Sequence, residues 1–159
     1  MKRAYVSVSA ADVPSRSDHD FLGRLTAGLP FSVEQTQRAA WDYQVQHLRA
    51  PAHDLPEAHF FLEFLIPRMG RRADLVVHQA GIVFVVEYKL GAAQFDSSSL
   101  AQTYGYGLDL KNFHETSHAP AVVPILVATA AKGGADNALH WGDDGLAQPL
   151  RSAPASWVG

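Results

Sequence analysis

The sequence predicts an α/β protein with a central mixed β-sheet flanked by helices, and three observations carry that expectation. Residues 59–66, 73–78 and 82–90 are short runs rich in branched and aromatic side chains, separated by turn-length punctuation. Helical patterns stand before and after this block, over residues 32–49 and 96–113. A last apolar run follows at residues 121–128. The order helix–strand–strand–strand–helix–strand (αβββαβ) suits a sheet covered by helices.

Residues 1–30 read as an irregular N-terminal extension, because Pro14, Gly23, Gly28 and Pro30 punctuate them. Ser32-Val33-Glu34-Gln35 has the form of a capping box, and the helix it opens is expected to stop at Ala50-Pro51. Trp41 and Tyr43 supply its bulk. The strand at 59–66 ends at Pro67, Met69-Gly70 is a turn, and Gln79-Ala80-Gly81 is a tight hairpin into the third strand. Asp96-Ser97-Ser98-Ser99 offers N-caps for the second helix, whose Leu100, Tyr104 and Leu108 recur on one face. Pro124 interrupts the final run and predicts an irregular or edge strand there. The expected organisation is a core at 31–130 and a C-terminal extension at 131–159, packed on that core or leaving it.

A chain of 159 residues fits one domain with a sizeable core. The absence of cysteine excludes disulfides, thiolate zinc sites and iron–sulfur clusters. A formal net charge of −3 argues against coating nucleic acid by bulk attraction, although Arg68, Arg71 and Arg72 gather locally. No apolar stretch approaches the roughly 20 residues that span a bilayer, and Met1-Lys2-Arg3-Ala4-Tyr5 does not lead into a signal-peptide core. The expectation is a cytoplasmic protein without membrane association.

The chemistry concentrates in Asp74, Glu87, Lys89 and Gln102. Glu87-Tyr88-Lys89 closes an apolar run, 81–86, where a charge needs a partner, a metal or a path to water. Alternation along a strand puts Glu87 and Lys89 on one face and Tyr88 on the other. Asp74 stands on the preceding strand, with twelve residues between it and Glu87, so hairpin pairing brings the two acids together. Close carboxylates repel unless a proton or cation lies between them. Hard oxygen donors without cysteine favour Mg²⁺ or Mn²⁺. Lys89 on the same face suits phosphoryl chemistry, where it orients or helps deprotonate a water. Gln102 and Tyr106 are one helical turn apart and share a face.

Asp74…Glu87-x-Lys89 followed by Gln102-x-x-x-Tyr106 resembles the PD-(D/E)XK nuclease superfamily, and the Gln/Tyr element resembles its RecB-like branch. Segments 66–74, 85–92, 102–118 and 124–129 are most similar to the nuclease-like N-terminal region found ahead of a helicase domain in uncharacterised bacterial and phage-defence-type proteins. The resemblance covers residues 35–130 and implies a restriction-endonuclease-like core, a divalent cation on Asp74 and Glu87, and a catalytic Lys89. It implies DNA phosphodiester hydrolysis, with a helicase domain or protein as a possible partner and Glu63 as a further acid. The backbone carbonyl of Tyr88 would assist the metal, Gln102 and Tyr106 would organise substrate, and Arg71 and Arg72 are candidates for phosphate contact. Ala73 replaces the proline for which the superfamily is named, and no Gly-x-x-x-x-Gly-Lys-Ser/Thr loop occurs in the chain.

Two alternatives stand beside this reading. One is a catalytically silent nuclease fold that docks DNA or a protein. The other is a zinc peptidase through His114-Glu115-Thr116-Ser117-His118, a literal His-Glu-x-x-His. Ala119-Pro120 ends that helix directly after the second histidine, where a peptidase helix continues.

Overall fold

A computed structural model describes residues 3–29, 34–66, 68–113, 120–136 and 138–153. Six strands form one open mixed sheet in sequential order: β1 (Val6–Ser9), β2 (His59–Ile66), β3 (Arg71–Gln79), β4 (Ile82–Lys89), β5 (Ala121–Ala128) and β6 (Leu150–Ser152). The pairs from β1 to β4 are antiparallel, and β4–β5 and β5–β6 are parallel. A 3-10 turn (Ala10–Ser15), α1 (Asp18–Gly28) and α2 (Gln35–Asp54) precede β2, and α3 (Ser97–Phe113) connects β4 to β5. The expected αβββαβ order is present as α2-β2-β3-β4-α3-β5. Among the described residues, no helix is long and apolar enough to cross a membrane.

The N-terminal segment is not the irregular extension its prolines and glycines suggest. Val6 and Val8 are buried, and β1 pairs with β2 from Val6↔Leu62 to Ser9↔His59. Ser17 then caps α1, its hydroxyl accepting from the Asp20 N–H at 3.1 Å. Asp18 and Asp20 lie at the positive end of that helix, and Phe21 and Leu25 bury one face. Four strand residues and two buried helix residues are too weak a local signal; pairing with β2 decides the outcome.

α2 begins at Gln35 with Glu34 as its N-cap and no side-chain cap bond; Ser32 of the expected capping box lies outside the described residues. The helix also runs past Pro51 to Asp54. Proline there removes one N–H from the last turn only, and Leu55 N–H still reaches the Pro51 carbonyl at 2.8 Å. Burial of Pro51 and Ala52 offsets that loss.

β2, β3 and β4 form the expected meander. Ala80 and Gly81 both have positive φ, 47° and 82°, between the paired Gln79 and Ile82, which is the twist a two-residue hairpin needs. The sheet has two cores. Phe60, Leu62, Leu75, Val77 and Val86 pack with Phe21, Trp41 and Leu48 under the first two helices. Val76, Val83, Val85 and Val122 pack with Tyr106 and Leu110 of α3. Residues two apart on a strand ordinarily share a face. Yet Leu62 and Phe64 belong to opposite cores, and so do Leu75 and Ala73. Both strands turn over at Glu63 and Asp74, and Glu63 takes the left-handed φ of 54°. That conformation costs on the order of 1–3 kcal/mol in a non-glycine residue.

α3 is capped as expected, with the Ser99 N–H on Asp96 Oδ1 at 2.8 Å. Its buried face is different from the predicted one. Ser99, Thr103, Tyr106 and Leu110 face inward, whereas Leu108 is 38% exposed. Small residues permit this: a Cβ added at Gly107 would stand 2.9 Å from Pro124 Cγ and 3.0 Å from Leu146 Cδ1. Pro124 is internal and not at an edge. The Val122 N–H points to the Gly145 carbonyl, so alternation aims the N–H that Pro124 lacks at the gap before β6 begins. The C-terminal segment packs on the core through Leu146, Ala147 and β6.

Gly105 and Gly107 therefore respond oppositely to alanine. A Cβ at Gly105 meets only Met69 Cε at 3.9 Å, so Gly105→Ala gains helix propensity, up to about 1 kcal/mol. Gly107→Ala gains the same propensity and loses about 1–3 kcal/mol to overpacking. Urea denaturation should rank Gly105→Ala above Gly107→Ala by more than about 1 kcal/mol.

Candidate metal centre

The β3–β4 ladder ends at Leu75↔Val86, and the next positions in register are Asp74 and Glu87. There side chains take over from the separating backbones. The Asp74 N–H donates to Glu87 Oε1 at 3.2 Å, and the Tyr88 N–H donates to Asp74 Oδ2 at 2.8 Å. The two carboxyl groups lie close enough to perturb each other's titration. The predicted juxtaposition of the acids is thus present.

Glu87 is 7% exposed, and its carboxyl is pushed up to about 9 by burial first and then by the charge of Asp74. Burial also raises Asp74, against the Tyr88 N–H, the Glu87 hydrogen bond, the Lys89 ammonium and an amide from Gln44. Both shifts favour retention of a proton by the pair. Glu63 is raised to about 7, by burial and then by Asp74, and Trp41 and Arg72 act in the opposite direction.

Lys89 and Gln102 meet, with Nζ 3.5 Å from Oε1. Tyr106 is buried, and burial followed by the Glu87 charge lifts its phenol to about 12. The nearby Arg71 guanidinium acts in the opposite direction and lowers it. Tyr88 turns to the other face, its ring edge-on to Tyr43 with centroids 5.9 Å apart. Exposure rises outward, from buried Glu87 and Tyr106 through half-buried Asp74, Lys89 and Gln102 to exposed Arg71.

Two predicted residues are engaged elsewhere. Arg72 Nη1 donates to the Glu63 carbonyl at 2.7 Å and the Arg3 carbonyl at 3.1 Å, and its guanidinium lies 4.2 Å from the Tyr5 ring centroid. It ties β3 to the N-terminal strand region. The Glu63 carboxylate accepts from Trp41 Nε1 at 3.0 Å, so α2 holds it.

Three residues escape the sequence reading. Gln44 and Trp41 reach Asp74 and Glu63 from α2, and both lie on its buried stripe with Val45 and Leu48. A glutamine at an apolar-periodic position was the available signal. Asp109 is buried on α3 and accepts from the Arg68 N–H at 2.9 Å, which fastens the β2–β3 turn over the helix. No sequence spacing announces that contact.

Two adjacent carboxylates, which repel unless a proton or cation lies between them, are hard oxygen donors of the kind a divalent cation takes. Among the described residues, no group of three or more His, Asp and Glu side chains could hold a metal. The His114–His118 motif lies outside the described residues. Comparison with protein-family models, curated proteins and solved structures gave no match.

The raised acids make a pH prediction. Folded Glu87 keeps its proton to about 9, whereas the unfolded group releases it near its ordinary 4.5. Across that window the folded state binds more protons, so this contribution is complete below 4.5 and is lost as pH rises toward 9. Thermal midpoints of the metal-free protein should therefore fall from pH 5 to pH 9, and Glu87→Gln should flatten the slope. An equally steep slope in that variant would contradict the assignment.

Proposed function

We propose that this domain is a divalent-metal-dependent nuclease that hydrolyses DNA phosphodiester bonds on a restriction-endonuclease-like core. One observation carries the reading: the β3–β4 register sets Asp74 against Glu87, and Lys89, two residues on, meets Gln102 of α3. Asp74, Glu87 and the Tyr88 carbonyl would hold Mg²⁺ or Mn²⁺. Bound there, the cation supplies charge neutralisation and a more acidic water.

The remaining roles belong to the chain. Lys89 orients the attacking water and offsets negative charge that grows on the phosphoryl oxygens. Gln102 holds the Lys89 ammonium, and Tyr106 fixes Arg71. Arg71, exposed beyond this pair, contacts a flanking phosphate. Arg72 serves the fold through its carbonyl partners, which removes it from the phosphate-binding set proposed from sequence. Glu63 is a neighbour of the site, where the charge of Asp74 raises its carboxyl. A helicase domain or protein, and a place in DNA processing or defence, rest on the sequence resemblance alone.

A silent docking module is the second reading, favoured by the absence of a third acid in the cage among the described residues. Cleavage assays separate the two. With Mg²⁺ or Mn²⁺, Glu87→Ala and Lys89→Ala should each lower DNA cleavage by at least about 10²-fold, with the circular-dichroism spectrum unchanged. Full activity in either variant would refute the catalytic assignment. DNA binding without metal-dependent cutting would select the docking module.

A further inference from the structure

Gln44 is 2% exposed and stands on the stripe of α2 that faces the sheet. Its amide lies close enough to Asp74 to favour the ionised carboxylate, against the burial that raises that group. Its amide oxygen is buried and has no hydrogen-bond partner among the described residues. A buried oxygen left without a donor is costly, and an apolar side chain of the same length would avoid that cost. Packing among the described residues therefore does not account for glutamine at this position. Asp74 is gripped from two directions, by α2 through Gln44 and by β4 through Tyr88 and Glu87. The unpartnered oxygen belongs to the same amide that acts on Asp74, one of the two acids of the candidate cation site.

We propose that Gln44 is a positioning residue of the cation site: its nitrogen aims the Asp74 carboxylate, and its oxygen accepts a hydrogen bond from a water on the bound ion. This rests on the metal-dependent reading above. Partners of this kind, one step behind the ligands, set affinity by fixing ligand orientation and by holding the hydration shell.

The test uses Mn²⁺ alone, titrated into the whole chain by calorimetry and by electron paramagnetic resonance, with thermal midpoints measured metal-free and metal-loaded. Gln44→Met keeps the length and removes both polar atoms. Its metal-free midpoint should stay at or above that of the wild type, while its Mn²⁺ affinity drops about 10–100-fold. Gln44→Glu keeps an oxygen and places a third carboxylate beside Asp74. Its Mn²⁺ affinity should equal or exceed that of the wild type, with a larger metal-induced rise in midpoint. A purely structural residue would show the reverse order, stability lost in both variants and affinity tracking it. Wild-type Mn²⁺ affinity in Gln44→Met, or affinity in Gln44→Glu as weak as in Gln44→Met, overturns the role of Gln44 and leaves the metal site standing. Failure of the wild type to bind Mn²⁺ overturns both.

Discussion

Asp74 and Glu87 stand side by side where β3 and β4 part, and the cost of placing two acids there shapes their surroundings. Glu87 is buried and Asp74 half-buried, and backbone N–H groups donate to both carboxyls. The backbone N–H groups of Asp74 and Tyr88 lose their ladder partners at the same point. The carboxylates supply the missing acceptors. One arrangement thus satisfies two needs: the acids are held, and the ends of the ladder are not left unpaired.

The split is produced by both strands of the β2–β3 pair. At Glu63 and Asp74 the chain changes which core it feeds, so the distal half of the hairpin folds over α3 while the proximal half lies under α2. Strain at Glu63 is held in place by Trp41 on its carboxylate and Arg72 on its carbonyl. Asp109 secures the far turn from α3. The two helix layers therefore converge on one point of the sheet, where each contributes a polar residue: Gln44 from α2 and Gln102 from α3.

Much of this was legible. The strands at 59–66 and 82–89, the hairpin between β3 and β4, and the cap of α3 are strong local signals, each carried by residues that decide their own backbone. Glu87 and Lys89 were legible because charges at the end of an apolar strand stand out, and Asp74 because hairpin pairing sets it beside Glu87. Less legible were β1 and α1, whose few buried residues gain their energy from β2 and α2. The inward face of α3 was misjudged because close approach of a helix to β5 rewards Gly107 and Thr103 over larger Leu108.

By itself the sequence determined the order of helices and strands, the alternation that puts Glu87 and Lys89 on one face, and a chemistry without thiols. Those properties depend on neighbours along the chain. Tertiary structure alone decided that Arg72 serves a carbonyl clamp, that Trp41 takes Glu63, and that Gln44 reaches Asp74 from a helix thirty positions earlier. Such contacts arise from how layers stack and where strands turn over, and no local pattern encodes the distance between two residues that only packing brings together.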